Sequence, residues 1–442
     1  MRYLVAGARV AGAASALALH RLGHKVTVVD RAAADPALEA AGIEVIIGDP
    51  DPEQLLSGVD EVVLSPGIPP HHPLPMAALA KGLDVYSEPE LAWRLRGPDA
   101  PIWLAITGTN GKTTTTTMLA SILRAAGLRS AALGNIGVPL VEAQTGYDVL
   151  AVELSSFQLH WSSTLAPQGG AMLNLADDHL DWHGDFERYA EAKTAVWRGD
   201  VAVGNLDDPR VAQELALVKG RKIGFTLGVP PQGSVGVVED LLVDRIHRGD
   251  AHELATIADI RPGGMHNVAN ALAASALALS IGVSHDAIRA GLTAYVPEPH
   301  RNALVATVNG VSYVDDSKAT NPHAAFASLV AYERIVWVAG GQLKGVDIDD
   351  LVAQIAPRLA GAVVLGVDRA QVIAALARHA GNLPVVEVSR SDDGAMGEVV
   401  SAAARLAEPG DTVLLAPAAA SLDMFASYAQ RGEAFAAAVK KL

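Results

Sequence analysis

Cysteine is absent from this chain of 442 residues, so disulfide bonds and thiolate chemistry are excluded. A chain without cysteine fits a reducing compartment. Long runs of lysine and arginine are also missing, and the net charge is −15. The composition therefore does not favour a nucleic-acid protein, because it offers no basic footprint for a phosphate backbone. An acidic protein that binds an anion must gather its cations locally.

Apolar stretches long enough to cross a membrane are lacking as well. The apolar start, MRYLVAGARV, contains Gly7 and continues into a helical pattern, so it is interpreted as a first strand rather than a signal peptide. We expect a cytoplasmic monomer that acts on small molecules and has neither a membrane nor a nucleic acid as partner.

Short β-branched runs alternate with alanine-rich helical stretches along the chain. The first of these runs are RYLVA at 2–6, KVTVVD at 25–30, EVII at 44–47 and EVVL at 61–64. Strand–helix–strand alternation predicts an α/β fold with parallel sheets and helices on their faces. The rhythm breaks at RLRGPDAP (94–101) and at VPEPHR (296–301), so we expect three domains with joints near these stretches.

Residues 105–117, AITGTNGKTTTTT, form the strongest candidate for a phosphate-binding loop. The common pattern G-x-x-x-x-G-K-[ST] needs a glycine where this chain has Ile106, so the loop is two residues short. A glycine loop between strand and helix directs N–H groups at an anion, with Lys112 on the β/γ-phosphates and Thr113 on Mg²⁺. A tight turn before a threonine-rich helix is the alternative. Because threonine is a poor helix former, we predict a helix only in the later part of this segment.

Several longer motifs follow one another in the order found in a known family. They are TGTNGKT at 107–113, ELSSFQL at 153–159, LNLADDHLDWHG at 173–184, a helix with Lys193, HNVANALAA at 266–274 and DDSKATNPHA at 315–324. The chain thus resembles the Mur ligases, which are ATP-dependent amide-forming enzymes whose phosphate loop has this shortened form.

The resemblance implies three α/β domains. It implies a Rossmann-like N-terminal domain at 1–95 for the uracil end of a UDP-sugar, a central P-loop ATPase-like domain at 96–297 with a mostly parallel sheet, and a Rossmann-like C-terminal domain at 298–442 for an amino acid. Substrate groups from all three would then assemble by closure around the two joints.

The implied reaction starts when ATP phosphorylates a carboxylate, and an amine then displaces phosphate through a tetrahedral intermediate. The residues that the resemblance assigns to catalysis are Lys112, Glu153, His179, Lys193 and Lys318. It also implies two Mg²⁺ ions, one on Thr113 and Glu153 and one on His179 and N-carboxylated Lys193. A carbamate converts a cation into an oxygen ligand that suits Mg²⁺. Each of three residues also has an alternative interpretation. Glu153 would be a strand-end salt-bridge partner, His179 an ordinary loop histidine and Lys193 a solvated helix-face lysine.

Further residues are expected around the nucleotide. The loop contacts for ATP are Gly108, Thr109, Asn110, Gly111, Lys112, Thr113 and Thr114, and the more distant ones are Asn267, Asn270, Arg301 and Asp316. Asn267 and Asn270 are three residues apart and share a helix face, where their amides can read adenine or ribose. Asp316 is expected on the ribose hydroxyls and Lys318 on the transferring phosphoryl group or the oxyanion. For the two asparagines the alternative is a helix N-cap and one polar face residue, and for the segment DDSK it is a charged turn that caps a helix.

Within the family, the chain looks most like the members that add D-glutamate to UDP-N-acetylmuramoyl-L-alanine. Their amino-acid site corresponds here to Thr320, Lys344, Ser421, Leu422 and Tyr428, with Tyr428 in place of the usual phenylalanine. The dicarboxylate D-glutamate needs a cation and hydroxyl donors, which these side chains supply. For Lys344 the alternative is a surface turn.

The UDP-sugar is expected on the N-terminal domain and its neighbours. The positions that correspond are Arg9, Val10, Ala11, Asp30, Arg31, Ser65, Pro66, Gly67, Ile68, Asn135, Ser155 and His179. Arg9 and Ala11 depart from the family's usual glycine and hydroxyl residue. Arg9 also stands where a dinucleotide fingerprint has its middle glycine, which disfavours a dehydrogenase. For Asn135 a turn residue with positive φ is the rival interpretation.

Two other functions compete with the D-glutamate ligase. One is a different ligase of the superfamily, of the folylpolyglutamate synthase type, but SPGIP at 65–69 in an extra N-terminal α/β domain argues against it. The other is a binding protein with a decayed site. The joint presence of the five catalytic candidates disfavours decay.

Overall fold

Three β-sheets organise the chain in the computed structural model, which describes residues 1–31, 35–247, 249, 251–297, 299–390, 392 and 394–442. Glu298 of the predicted second joint lies outside these residues. The chain divides into two compact units: Met1–Ile260 with Val268–Tyr295, and Arg261–Asn267 with Val296–Leu442. The first unit holds two of the sheets and the second unit holds the third.

The first sheet is formed by the N-terminal part of the first unit. Its elements are β1 (Arg2–Ala6), α1 (Val10–Arg21), β2 (Lys25–Asp30), α2 (Pro36–Ala40), β3 (Glu44–Ile47), α3 (Pro52–Leu55), β4 (Glu61–Leu64), α4 (Pro73–Ala80), β5 (Asp84–Ser87) and α5 (Glu88–Arg94). The strands are parallel in the order β3-β2-β1-β4-β5. The order reverses at β1, so a crevice forms at the carboxyl ends of β1 and β4.

The second sheet is larger and carries the phosphate loop. Its elements are β6 (Ile102–Thr107), α6 (Lys112–Ala125), β7 (Ser130–Gly134), β8 (Val149–Glu153), α7 (Ser156–His160), β9 (Gly169–Met172), α8 (Leu180–His183), α9 (Phe186–Thr194), β10 (Val201–Asn205), α10 (Pro209–Leu217), β11 (Arg221–Phe225), β12 (Ser234–Val238), β13 (Leu241–Asp244), β14 (His252–Thr256), α11 (Met265–Ser280) and α12 (His285–Thr293). The order is β14-β13-β12-β11-β10-β9-β6-β8-β7. Strands β7 to β12 and β6 run parallel, whereas β13 is antiparallel to both of its neighbours.

The third sheet is the centre of the second unit. Its elements are β15 (Ala303–Val308), β16 (Val311–Asp315), α13 (Pro322–Leu329), β17 (Ile335–Gly340), α14 (Asp349–Ile355), β18 (Leu359–Leu365), α15 (Arg369–His379), β19 (Val385–Glu387), α16 (Ala395–Leu406), β20 (Thr412–Leu415) and α17 (Tyr428–Val439). The order is β15-β16-β20-β17-β18-β19. Only the β15–β16 pair is antiparallel among these neighbours.

The predicted α/β fold with mostly parallel sheets is confirmed. One local prediction is wrong, because α6 begins at Lys112 and includes all five threonines. Thr116 and Thr117 donate their hydroxyls to the carbonyls of Lys112 and Thr113, both at 2.8 Å, so these side chains bond within the helix instead of disrupting it. No helix among the described residues is long and apolar enough to span a bilayer.

Candidate active site

The phosphate loop follows β6 and is braced by the segment after β9. The N–H groups of Thr109 and Asn110 donate to the backbone and side-chain oxygens of Asn174, at 3.0 and 2.8 Å. The Thr109 hydroxyl lies 2.8 Å from the hydroxyl of Tyr189 on α9. Gly111 has φ +83, a left-handed conformation that glycine adopts without strain. The loop therefore presents the first-turn N–H groups of α6, which have no intrahelical acceptor, as donors for an anion.

Lys112 and Lys193 both contact one backbone carbonyl oxygen of this loop. The Nζ atoms of both donate to the carbonyl of Gly108, each at 2.8 Å. Lys112 also donates to the Thr109 carbonyl at 2.8 Å, and Lys193 to the Thr107 hydroxyl at 3.3 Å. Lys193 is 1% exposed, and its burial, followed by the charge of Lys112, holds its pKa well below the ordinary range. The alternative of a solvated helix-face lysine is therefore wrong for Lys193.

Glu153 ends β8, as predicted, and is 2% exposed. Its Oε1 accepts a hydrogen bond of 2.8 Å from the Asn135 side chain, and its backbone carbonyl accepts one of 2.9 Å from the Asn135 N–H. Its Oε2 is buried and makes no hydrogen bond with any described residue. The turn's left-handed conformations fall on Gly134 and Gly137, so the positive-φ interpretation of Asn135 is wrong. Asn135 instead orients the Glu153 carboxylate, whose Oε2 makes no hydrogen bond with a described residue.

His179 lies at the N-terminus of α8 in a left-handed conformation, with φ +54. Its Nε2 is 3.5 Å from Asp178, and its ring packs edge-on against Phe157 at a centroid distance of 4.6 Å. Ser155 caps α7 in a capping box with Gln158. The structure thus places Ser155 and His179 at the N-termini of short helices that follow β8 and β9, the two strands that flank β6 in the sheet.

Asn270 packs against the phosphate loop and the start of α6. Its side-chain oxygen accepts a hydrogen bond of 3.2 Å from Thr115 and would lie 2.4 Å from a Cβ at Gly111. Asn270 is buried. Its amide therefore contacts the first turns of α6, where the predicted ATP residues Thr113 and Thr114 also lie.

The candidate metal ligands near the phosphate loop are a carboxylate and a hydroxyl group. The described residues contain no group of three or more histidine, aspartate and glutamate side chains placed to hold a metal ion. The buried, unbonded Oε2 of Glu153 nevertheless fits a cation, because a carboxylate oxygen without a partner is costly to bury. The hydroxyl of Thr113 at the start of α6 suits the same hard ion.

A cavity of about 290 Å³ lies in the crevice of the first sheet and is called the crevice cavity below. Its lining includes the predicted UDP-sugar residues Asp30, Arg31, Ser65, Gly67 and Ile68. The remaining lining residues are Ala6, Gly7, Val29, Gly48, Asp49, Pro50, Pro52, Leu55, Pro69, His72 and Leu74. Predicted residues from two separate stretches of the chain therefore line one cavity.

Of residues 7–11, which form the loop before α1 and the start of that helix, only Gly7 lines the crevice cavity. Arg9 and Val10 are exposed, and Ala11 is half-buried. Asp30 connects this loop to β2, since its Oδ2 accepts a hydrogen bond of 2.6 Å from the Ala8 N–H. Pro66 is also outside the lining, so the predicted UDP-sugar set is only partly assembled around the cavity.

The second unit carries the predicted ribose and phosphoryl residues after β16. Burial raises the pKa of Asp316 to about 6, against the hydrogen bond from Ser328 and the charge of Arg301. Asp316 also accepts a hydrogen bond of 3.1 Å from the Asn302 N–H. The Lys318 Nζ lies 3.9 Å above the Tyr428 ring, so these two predicted residues are in contact. Asn267, assigned to the same unit, donates its amide to the Gly263 carbonyl at 3.2 Å.

Four of the five predicted D-glutamate residues lie on three neighbouring loops of the second unit, and the fifth, Tyr428, begins α17. Thr320 follows β16, Lys344 follows β17 and is exposed with φ +54, and Ser421 and Leu422 follow β20. Ser421 is buried and Leu422 is 63% exposed. Because β16, β20 and β17 are adjacent and parallel, the three loops leave the same edge of the sheet.

Arg431 on α17 joins these loops and was missed by the sequence reasoning. It is 1% exposed and donates to the Ser317 hydroxyl at 3.0 Å, the Ser317 carbonyl at 2.9 Å and the Ala419 carbonyl at 3.1 Å, with a longer contact of 3.5 Å to the Gly340 carbonyl. Burial lowers its pKa to about 10. The signal was available, because Arg431 shares the spacing i, i+4 and i+8 with the buried Phe435 and Val439.

Comparisons with known proteins match this arrangement. The model of the Mur ligase middle domain matches residues 106–278, and the model of the Mur ligase glutamate ligase domain matches residues 300–419. A protein of Thermobifida fusca named UDP-N-acetylmuramoylalanine–D-glutamate ligase is 54% identical over 461 residues, covering 100% of this chain and 98% of that protein. A protein of the same name from Streptomyces coelicolor is 54% identical over 462 residues, covering 99% and 97%.

Solved structures share the fold at lower identity. A pseudomurein peptide ligase type C from Methanothermus fervidus has a TM-score of 0.59 at 21% identity and covers 94% of this chain and 96% of its own. A UDP-N-acetylmuramate-alanine ligase from Thermotoga maritima has a TM-score of 0.59 at 17% identity and covers 100% and 99%.

The two family models and the full-length relatives show that the chain belongs to the Mur ligase family. The predicted resemblance is confirmed, and the full-length relatives bear the name of the D-glutamate-adding member.

Proposed function

We propose that the chain is an ATP-dependent ligase that joins D-glutamate to UDP-N-acetylmuramoyl-L-alanine, with ADP and phosphate as the other products, in peptidoglycan precursor synthesis. The observation that carries the proposal is the 54% identity over the whole chain with relatives of that name. The arrangement of Lys112, Lys193 and Glu153 around the phosphate loop gives it a chemical basis.

The first chemical step transfers the γ-phosphoryl group of ATP to the carboxylate of the alanyl residue. Lys112 at the loop neutralises charge on the transferring phosphate, and the first-turn N–H groups of α6 donate hydrogen bonds to its oxygens. The carboxylate becomes an acyl phosphate, whose carbonyl carbon is then electrophilic.

The second step is attack by the amine of D-glutamate on that carbon. The amine loses a proton, the C–N bond forms, and the tetrahedral intermediate expels inorganic phosphate as the amide carbonyl returns. Lys318 stabilises the oxyanion. Thr320, Lys344, Ser421, Leu422 and Tyr428 hold D-glutamate in this proposal.

Mg²⁺ would supply charge neutralisation for the phosphate oxygens. Thr113 and Glu153 would hold one ion, and His179 with Lys193 as N6-carboxylysine would hold a second. The unbonded Oε2 of Glu153 supports the first site. The depressed pKa of Lys193 supports the second, because only a neutral amine adds to CO₂.

We further propose the three-domain division at 1–95, 96–297 and 298–442, with UDP-sugar, ATP and D-glutamate on successive domains. Each of the three sheets falls inside one of these segments, which supports the division. The Rossmann-like character proposed for the first domain rests on the strand order β3-β2-β1-β4-β5. The use of ATP and a nucleotide sugar supports a cytoplasmic location, and we propose that the protein acts as a monomer.

Phosphate release from ATP tests the proposed function. Purified protein with Mg²⁺ is expected to release phosphate only when both UDP-N-acetylmuramoyl-L-alanine and D-glutamate are present. Release with L-glutamate and a folate would instead indicate the folylpolyglutamate synthase type. Absence of release with every combination would contradict a ligase.

A further inference from the structure

His72 lines the crevice cavity, and its two ring nitrogens have different hydrogen-bonding roles. It is the N-cap of α4, where its Nδ1 accepts a hydrogen bond of 3.2 Å from the Leu74 N–H. A ring nitrogen that accepts a hydrogen bond carries a lone pair, so the ring proton of neutral His72 is on Nε2. The helix cap thus fixes the tautomer and leaves an N–H donor on the other side of the ring.

Burial, followed by the charge of Arg31, lowers the pKa of His72. Asp49 opposes this shift, and His71 adds to it, and these are the charged and titratable groups that act on the ring. The neutral form is therefore maintained at neutral pH, which keeps Nδ1 available as the cap acceptor.

The charged side chains of the cavity already have partners, and the other polar side chain of the lining is Ser65. Asp30 accepts from the Ala8 N–H at 2.6 Å, and Arg31 is paired with Asp49 at 2.7 Å. The Nε2 of His72 makes no hydrogen bond with a residue that the structure describes, and it is not a buried atom. His72 consequently offers the cavity a donor that needs no rearrangement.

The walls around His72 suit a flat ring. Most of the lining is apolar or proline, including Pro50, Pro52, Pro69 and Leu74. Ligand cavities of this kind use few polar groups, and those groups decide which ligand is accepted.

We propose that His72 is a specificity-determining residue whose Nε2–H donates to the C4 carbonyl oxygen of the uracil ring. The inference rests on the proposed function, which places a uridine nucleotide on the first sheet. Uracil has a carbonyl where cytosine has an amino group, so a fixed donor favours uracil and meets a second donor in cytosine. His72 would therefore select the base without touching the reacting atoms.

Calorimetric titration of the full-length protein with UDP and with CDP tests this inference. His72→Asn keeps an oxygen acceptor at the N-cap, a position that asparagine favours, but it lacks the Nε2–H. The substitution is expected to weaken UDP binding about tenfold, which corresponds to one lost hydrogen bond, and to leave CDP binding unchanged. His71→Asn, at the exposed neighbouring position, is the matched control and is expected to change neither.

A thermal melt and the KM for ATP show whether His72→Asn still folds, and His72→Ser, which also caps a helix, serves as a second variant. Unchanged UDP binding in folded His72→Asn and His72→Ser would overturn the inference. An equal loss for UDP and CDP would also overturn it, since the contact would then be with the C2 carbonyl that both bases share, with the sugar or with the phosphate. If the wild-type protein binds neither nucleotide, the proposed function itself fails.

Discussion

Lys112 and Lys193 donate to the same carbonyl oxygen, that of Gly108, although they come from different helices. Two ammonium groups at one oxygen repel each other, and Lys193 is the one that is fully enclosed. The enclosure of Lys193 and the charge of Lys112 thus favour a neutral amine at Lys193. This relationship links the proposed ATP site to the chemistry of the second lysine.

Replacement of Lys112 tests its proposed role in neutralising charge on the transferring phosphate. Lys112→Met is expected to lower kcat by about 10²–10³-fold, because the transferring phosphate loses a cation in a preorganised site. The far-ultraviolet circular dichroism should be unchanged. Lys81→Met removes an exposed lysine at the C-terminus of α4 and is the control for a general effect of charge. Full activity of Lys112→Met would contradict the assignment.

Lys193 is expected to carry a carbamate. The protein equilibrated with ¹³C-bicarbonate should show one protein-bound carbamate carbon by NMR, and Lys193→Arg should lack it, since a guanidinium does not add CO₂ under these conditions. Turnover of Lys193→Arg should fall together with the signal. A signal that persists in Lys193→Arg would assign the carbamate to another amine.

Asn135 is expected to act through Glu153. Asn135→Ala removes the hydrogen bond to Oε1 and should lower the apparent Mg²⁺ affinity or the activity about 10–100-fold, as is usual for partners of metal ligands. The measurement is the initial rate against Mg²⁺ concentration. If saturating Mg²⁺ leaves the deficit while the half-saturating concentration is unchanged, Asn135 acts elsewhere.

Most of the fold could be predicted because parallel strands are buried on both faces and appear as short β-branched runs. The strands at 2–6, 25–30, 44–47 and 61–64 were predicted with the bounds that the structure has. The antiparallel β12–β13–β14 edge was not foreseen, because the expectation of strand–helix alternation has no place for consecutive hairpins. The early start of α6 was missed because propensity ignores hydroxyls that bond the preceding turn.

The site was less predictable than the fold. Gly108 and Lys193 are 85 residues apart, and no local pattern shows that they touch. Lys193, Glu153 and His179 came from family resemblance, and their residue types alone allowed surface roles. Tyr189 and Arg431 were missed because both act through hydrogen bonds to loops that are distant in sequence. Such partners become visible only when the loops at one edge of a sheet are in place.

Arg431 is expected to be a positioning residue for the D-glutamate loops. Arg431→Lys keeps the charge but loses the planar fork that reaches Ser317 and Ala419. Misplaced loops should lower kcat/KM for D-glutamate on the order of 10²-fold, whereas the KM for ATP stays within about twofold. Arg405→Lys, on the exposed side of α16, is the matched control. Equal changes in both substrates, with a lower melting temperature, would indicate a structural role alone.

Glu88 is expected to make stability depend on pH. It begins α5, is 2% exposed and accepts a hydrogen bond of 2.8 Å from the Val141 N–H. Burial raises its pKa from 4.5 to about 7. Between these values the folded chain keeps a proton that the unfolded chain has lost, so the free energy of unfolding falls as pH rises from 4.5 to about 7 and is then level.

Glu88→Gln isolates this effect, because the amide still accepts from Val141 but never ionises. Relative to wild type, it should gain roughly 3 kcal/mol of stability between pH 4.5 and 7, since each pKa unit corresponds to about 1.4 kcal/mol, and nothing more above pH 7. Urea unfolding of both proteins at a series of pH values measures the difference. Glu142→Gln, at an exposed position nearby, should stay within about 0.5 kcal/mol of wild type. A wild-type and Glu88→Gln difference that is independent of pH would mean that Glu88 is ionised in the folded chain throughout, and that its burial is offset by the N–H groups at Leu140 and Val141.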